Sequence, residues 1–207
     1  MSPKELLELN GDIRRSALLD TLRRIDAVFE RIGASYAAAG GLAVVRNGAP
    51  RTTMDVDILT TRPGWERFRK AVGPDEFATS PDHARDAANK VEIDVLFAGD
   101  RWDMPFGLPE PGPASEYDAE LGARFLSLER IIELKLAVHL EKLAEFGPEL
   151  AAKDLADAAA LVAANRVCAD PGFVERLHPS TREAFTRVLQ AVERAAAKRV
   201  EKKRAGP

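Results

Sequence analysis

Asp55 and Asp57 flank a single valine in Met54-Asp-Val-Asp-Ile-Leu59, and Asp94 stands in a second apolar run, Val91-Glu-Ile-Asp-Val-Leu-Phe97. The two-residue side-chain period of an extended strand puts Asp55 and Asp57 on one face. Carboxylates held about 4 Å apart near a protein surface repel by about 4 kcal/mol. A divalent cation removes that penalty. Magnesium takes oxygen ligands and keeps positions open for phosphate oxygens, so Asp94 on a nearby strand would complete a metal site with Asp55 and Asp57. The plain alternative is that the two aspartates mark the solvated face of an edge strand. Gly40-Gly41, between a short apolar segment and a helical stretch, shifts the balance. Glycines there let backbone N–H groups approach an anion, and a helix N-terminus favours negative charge.

The elements that must position these residues are legible from periodicity. Leu18, Leu19, Leu22, Ile25, Val28, Phe29 and Ile32 recur at three and four positions, predicting a helix from Ile13 to Ile32 that Gly33 ends. Tyr36-Ala-Ala-Ala39 reads as a short buried strand, Leu42 to Arg46 as helix, and Asn47-Gly-Ala-Pro50 as a turn. Met54 to Leu59 and Val91 to Phe97 read as strands, the second with Val91, Ile93, Val95 and Phe97 on one face and Glu92, Asp94 and Leu96 on the other. Pro63 opens a helix carrying Trp65, Phe68 and Val72.

Prolines 105, 109, 111 and 113 predict an extended connector over 103–126. Beyond it the chain reads helical: Leu128 to Leu143, Glu149 to Asn165, and Ser180 to about Lys203, where Ser180 and Glu183 form a capping box and Phe185, Val188, Leu189, Val192 and Ala196 a stripe. The expected layout is an α/β core over 1–102 with a small mixed sheet and flanking helices, the connector, and a C-terminal helical half over 127–207.

Bulk properties narrow the function classes. No apolar run approaches the roughly 20 residues of a membrane helix, and Met1-Ser-Pro-Lys-Glu lacks a secretory pattern, so a cytoplasmic protein without a membrane partner is expected. The single cysteine, Cys168, excludes an internal disulfide framework and a multi-thiolate zinc site, and reads as a small apolar filler. Net charge is −3, which argues against non-specific coating of nucleic acid. Charge is uneven, however: residues 198–204 set five basic side chains against Glu201, a net +4, leaving −7 on the remainder. That segment is either a solvated helix end or an RNA contact.

Taken together, Gly40-Gly41, thirteen intervening residues, Asp55-Val56-Asp57 and the later Asp94 resemble the signature of the polymerase-beta-like nucleotidyltransferase superfamily. Arg51-Thr-Thr-Met-Asp-Val-Asp57 resembles more specifically the Arg-x-Thr-x-Asp-x-Asp of the abortive-infection, AbiEii-type toxin branch, and the resemblance covers residues 34–162. Gly41 stands where a serine is often found, so a hydroxyl contact to phosphate is absent and backbone contacts must serve.

The resemblance implies the nucleotidyltransferase fold and in-line attack by a hydroxyl on the α-phosphorus of a nucleoside triphosphate such as ATP or CTP, releasing pyrophosphate. It implies two magnesium ions on Asp55 and Asp57, with Asp94 ligating the catalytic one and helping to activate the attacking hydroxyl. Gly40, Gly41, Arg51 and Thr53 are implied as nucleotide-binding residues, although Arg51 and Thr53 before a strand are also common without function. The branch also implies a lysine on the first helix of the second half and an Arg/Lys-Asp-x-x-Asp on the next, positions held by Lys135 and by Lys153-Asp154-Leu-Ala-Asp157. Lys135 would neutralise phosphate charge and Asp154 would orient it or the acceptor.

Helical periodicity places Lys135 inside the stripe of Leu128, Ile131, Ile132, Leu136 and Val138, and lines Asp154 and Asp157 up with Leu150 and Leu161. A charge in such a stripe needs a partner or a ligand. Lys135 therefore either forms a structural ion pair with these aspartates or faces the triphosphate across a cleft. His139, one turn on, reads as a core or rim residue or as a catalytic one. The resemblance leaves the acceptor open between the 3′ end of transfer RNA, within a toxin–antitoxin pair, a protein side chain and an aminoglycoside-like small molecule. A non-catalytic nucleotide-binding protein of the same fold is the rival from another class.

Overall fold

The computed structural model describes residues 13–100, 106–167 and 170–204. Cys168 lies outside these residues. The first helix, α1 (Ile13–Ile32), buries Leu18, Leu22, Ile25 and Phe29 at the predicted spacing. Gly33 ends it at φ +59, in the left-handed region where glycine carries no Cβ penalty, and its N–H returns to the Glu30 carbonyl at 3.0 Å. There follow β1 (Tyr36–Ala38), α2 (Gly40–Arg46), β2 (Asp55–Thr60) and α3 (Arg62–Ala71). Thr61 caps α3 by accepting from the Gly64 N–H at 3.0 Å. Tyr36, Phe29, Phe68 and Trp65 stack in that order and Phe77 tilts against Phe68, with neighbouring ring centroids 4.8–5.4 Å apart.

The region after α3 holds two short strands that the sequence reading left unassigned, β3 (Phe77–Thr79) and β4 (His83–Asp86), which lead into β5 (Glu92–Phe97). Asp86 at the end of β4 is fully buried and ties this hairpin to α1. It accepts from the Thr21 hydroxyl, from Arg24 at 2.6 Å and from the Ala88 N–H at 2.8 Å.

The predicted connector is the main correction. Pro111 opens a short helix, α4 (Pro111–Ala114), and β6 (Ser115–Asp118) and β7 (Ala123–Leu126) form a hairpin in the sheet. The prolines end at 113, and the run after them has an alternating pattern with Gly122 at φ +70 in its turn. Seven strands join one mixed sheet in the order β3-β4-β5-β2-β1-β7-β6. β2 runs parallel to β5, and β1 antiparallel to β2 and parallel to β7. The first compact unit therefore continues to Ile131 rather than closing at residue 102.

The second unit, from Ile132, is helical. It contains most of α5 (Leu128–Phe146), then α6 (Pro148–Ala164), α7 (Pro171–Arg176) and α8 (Pro179–Arg204). Gly147, at φ +85, turns α5 into α6. Phe173 and Phe185 stack at 5.3 Å between α7 and α8. The expected capping box is not formed: α8 starts at Pro179, Ser180 N–H donates to the His178 ring at 3.3 Å, and Glu183 pairs with Arg187 instead. The α8 stripe is buried at Phe185, Val188 and Leu189, but Ala196 is exposed. No helix among the described residues is long and apolar enough to cross a membrane.

Candidate active site

The β2 alternation holds as predicted: Val56 and Ile58 are buried, while Asp55 and Asp57 project from the other face at intermediate exposure. On β5, Ile93, Val95 and Phe97 are buried, as is Val91 just before it, and Asp94 is exposed. The register then fixes which side chains are neighbours, because directly paired residues of adjacent strands share a face. Asp57 pairs with Asp94, and Asp94 with His83 of β4; Asp55 pairs with Glu92, and Glu92 with Arg85. One sheet face thus carries two cross-strand rows, Asp57–Asp94–His83 and Asp55–Glu92–Arg85.

Gly40 is the point of closest backbone approach. It has φ +51, and a Cβ built on it would lie 1.7 Å from Asp57 Oδ2, so no other residue fits while Asp57 keeps its place. A Cβ on Gly41 would come within 2.4 Å of Thr53 Oγ1. Thr53 in turn donates to Asp55 Oδ1 at 2.7 Å. The glycine pair is therefore shaped to the Asp-x-Asp strand itself, which explains its spacing from it. The Ala39 N–H to Asp57 carbonyl bond of 2.8 Å closes the same corner, and α2 opens without a side-chain cap. Arg51 is half-buried beside this corner in sequence.

The structure adds three residues that the sequence reading gave no role. His83 bridges Asp94 Oδ1 at 3.0 Å and Glu92 Oε2 at 2.8 Å, and Arg85 holds Glu92 Oε1 at 3.0 Å. Burial opposes a charge on His83, but its hydrogen bonds to Asp94 and Glu92 outweigh this and raise its pKa above the ordinary value. The sequence signal was present in His83-Ala-Arg-Asp86, an alternating run shortly before β5.

The donor set of Asp55, Asp57 and Asp94 is all carboxylate oxygen and fits a hard divalent cation in kind. Among the described residues, however, no three His, Cys, Asp or Glu side chains are gathered closely enough to hold a metal ion. Thr53 holds Asp55 and His83 holds Asp94, each drawn toward its own neighbour.

In the second unit Lys135 is 8% exposed, with Nζ 2.9 Å from Asp154 Oδ1 and 3.0 Å from Asp157 Oδ2. Lys142, which the sequence reading did not weigh, reaches the other Asp154 oxygen at 2.8 Å. Burial alone would raise the Asp154 pKa, but the hydrogen bonds from Lys142 and Lys135 prevail and lower it. Two aspartates thus meet two lysines. His139 Nδ1 donates to the Ala151 carbonyl at 2.9 Å, a rim position that links α5 to α6. Leu150, expected on the buried line with Asp154, is exposed.

No protein-family model and no curated protein matches the chain in sequence. Solved structures do match in shape. A nucleotidyltransferase-like antigenic protein from Paracoccidioides brasiliensis aligns over 88% of this chain and 91% of its own, with a TM-score of 0.60 and 16% identity. The crystal structure of ANT(2″)-Ia in complex with adenylyl-2″-tobramycin aligns over 81% of this chain and 96% of its own, with a TM-score of 0.55 and 15% identity. The solution structure of the antibiotic-resistance factor ANT(2″)-Ia covers 91% of this chain and 97% of its own, with a TM-score of 0.50 and 15% identity. At such identities the likeness establishes the architecture: the chain has the α/β nucleotidyltransferase fold.

Proposed function

We propose that the protein is a magnesium-dependent nucleotidyltransferase that moves a nucleoside monophosphate from a triphosphate to an acceptor hydroxyl. The observation that carries this reading is the corner where Gly40 abuts the Asp57 carboxylate and Asp57 pairs in register with Asp94, on this fold. Asp55, Asp57 and Asp94 would hold the ions, which when bound draw charge from the phosphate oxygens. Asp94, the most exposed of the three, accepts the proton of the attacking hydroxyl. The new bond forms between that oxygen and the α-phosphorus, the α–β bridging bond breaks, and pyrophosphate leaves. Gly40 and Gly41 let the backbone approach the phosphates, with Thr53 steadying Asp55 and Arg51 contributing positive charge.

Lys135 and Asp154 belong to this reading as the residues that match the toxin branch. In the free protein their geometry supports the structural ion pair; service to the nucleotide requires Lys135 to exchange a carboxylate for a phosphate. Two acceptors have specific support. The toxin-branch resemblance and the basic segment 198–204 favour the 3′ end of transfer RNA, with an antitoxin as protein partner. The near full-length likeness to ANT(2″)-Ia favours a small amino-sugar hydroxyl.

The test is incubation with each α-labelled triphosphate and magnesium, in separate reactions with total RNA, total protein and an aminoglycoside panel. Label transferred to one acceptor and lost in Asp57→Asn is the expected result. Tight triphosphate binding with no transfer to any acceptor would replace the enzyme by a nucleotide-binding protein of the same fold.

A further inference from the structure

The two carboxylate oxygens of Asp94 have different surroundings. Oδ1 accepts from His83 Nδ1 at 3.0 Å, while Oδ2 has no hydrogen bond or ion pair among the described residues. Asp55 is divided in the same way: Thr53 holds Oδ1 at 2.7 Å, and Oδ2 has no partner among the described residues. An ionised carboxylate accepts at both oxygens, so a donor fixed on one of them sets the plane of the group and the direction of the other.

The donor on Asp94 is itself held at several points. The second ring nitrogen of His83, Nε2, donates to Glu92 Oε2 at 2.8 Å, and Arg85 Nε meets Glu92 Oε1 at 3.0 Å. The His83 carbonyl accepts from the Ser80 N–H at 2.7 Å and from the Ser80 hydroxyl at 3.1 Å. The buried Trp65 donates from Nε1 to the Ser80 carbonyl at 3.1 Å, which ties this backbone to the aromatic core. In the strand register His83 stands directly opposite Asp94, and Arg85 opposite Glu92. A ring fixed at both nitrogens and at its backbone orients a neighbouring carboxylate more narrowly than a lone hydrogen bond does.

We propose that His83 is a positioning residue for the transfer reaction, holding Asp94 by Oδ1 so that Oδ2 is the oxygen that faces the acceptor hydroxyl. This rests on the nucleotidyl-transfer reading above. The hydroxyl gives its proton to Asp94 Oδ2 as its oxygen bonds to the α-phosphorus and pyrophosphate departs, and His83 touches none of the reacting atoms. The plain alternative is that His83 only offsets the charge of Glu92 and Asp94, which share one face of β5. Position depends on the donor at Nδ1, whereas charge compensation is indifferent to which nitrogen is kept.

Asparagine and glutamine separate the two roles, because both are neutral. The amide nitrogen of Asn reaches the place of Nδ1 and donates to Asp94, while that of Gln reaches the place of Nε2 and donates to Glu92. The His83 side chain is 41% exposed, so the substitutions leave the core untouched. With magnesium and triphosphate, His83→Gln and His83→Ala lower kcat by about tenfold, the worth of one hydrogen bond to a charged group. The KM for triphosphate stays level, and His83→Asn recovers most of the rate. The same contact is read without metal or nucleotide from the side-chain carboxyl carbon-13 resonance of Asp94, assigned with Asp94→Asn. There His83→Asn stands apart from His83→Gln and His83→Ala, which coincide. Equal kcat in His83→Asn and His83→Gln, a rate unchanged in all three variants, or an Asp94 resonance alike in all three overturns the proposal. If the wild type transfers label to no acceptor, the nucleotidyl-transfer reading fails by itself, and the Asp94 resonance still decides whether His83 holds Asp94.

Discussion

Asp154 and Asp157 on α6 are 3% and 9% exposed and are met by Lys135 and Lys142, whereas on one sheet face Asp55, Asp57 and Glu92 are half-buried and Asp94 exposed, with His83 and Arg85 in their rows. The helical cluster must be neutralised inside the chain, because desolvated carboxylates without counter-charge cost several kcal/mol each. The sheet face tolerates an excess of negative charge because water screens it. A cation arriving from solution therefore has more to offer the sheet face than the helical cluster. The same residue type can thus serve structure in one region and chemistry in the other, and mutation should separate the two.

The largest contrast is expected at Asp57. Asp57→Asn should lower nucleotidyl transfer by roughly 10³-fold, the scale of removing a preorganised electrostatic group, while the melting temperature stays level or rises slightly as repulsion with its neighbours falls. Initial rates and thermal melts on the same preparation check both halves. A variant that unfolds would assign Asp57 to structure and erase the contrast between the regions.

Lys135→Met probes the opposite corner. Counting one lysine against two aspartates suggests a charge waiting for phosphate, but Lys142 balances the count. Removing Lys135 takes an ammonium partner from both Asp154 and Asp157, and breaking a buried pair typically costs about 3 to 5 kcal/mol. Denaturant unfolding without nucleotide should show that loss. Unchanged stability with activity destroyed would move Lys135 to the catalytic side of the comparison.

Within the first unit, Asp86→Ala should cost about 2 to 3 kcal/mol and leave transfer chemistry intact at low temperature, because the carboxylate binds Thr21 and Arg24 and touches none of the candidate ligands. Equilibrium unfolding alongside a rate assay reads this. Loss of activity without loss of stability would extend the site to α1.

How far each region was legible in the sequence depends on how strongly it is patterned. The apolar stripe of α1 and the alternation of β2 and β5 span enough residues to declare their period, and the placement of Asp55, Asp57 and Asp94 came with them. β3 and β4 are three and four residues long, too short for a period to declare itself, so His83 and Arg85 remained invisible although they complete both rows. Four prolines coloured the whole of 103–126, hiding a β6–β7 hairpin that lies almost wholly beyond them. Lys142 was missed because it sits two turns from Lys135, a link that only the packing of α5 on α6 reveals. Gly40 was read as a phosphate loop, and its clash with Asp57 adds a reason that spacing alone did not supply.

The smallest effect, and the one that sharpens the comparison most, concerns His83 in the metal-free protein. Its pKa is raised in the fold because hydrogen bonds to Asp94 and Glu92 overcome the opposing effect of burial. A group whose folded pKa lies above its unfolded value adds stability that is fully present below the unfolded pKa, about 6.5, and is lost as pH rises through the folded pKa. The melting-temperature difference between the wild type and His83→Gln should therefore be greatest in mildly acidic buffer and shrink toward neutral and alkaline pH. Its size stays modest, since the His83 side chain is 41% exposed and water screens the pair. The NMR titration of the His83 ring gives the same answer directly, with a midpoint above about 6.5 that falls in Asp94→Asn. A midpoint at or below that value, or one unmoved by Asp94→Asn, would mean that the sheet face leaves its carboxylates without the partner the geometry gives Asp94, and the two regions would then differ even more sharply.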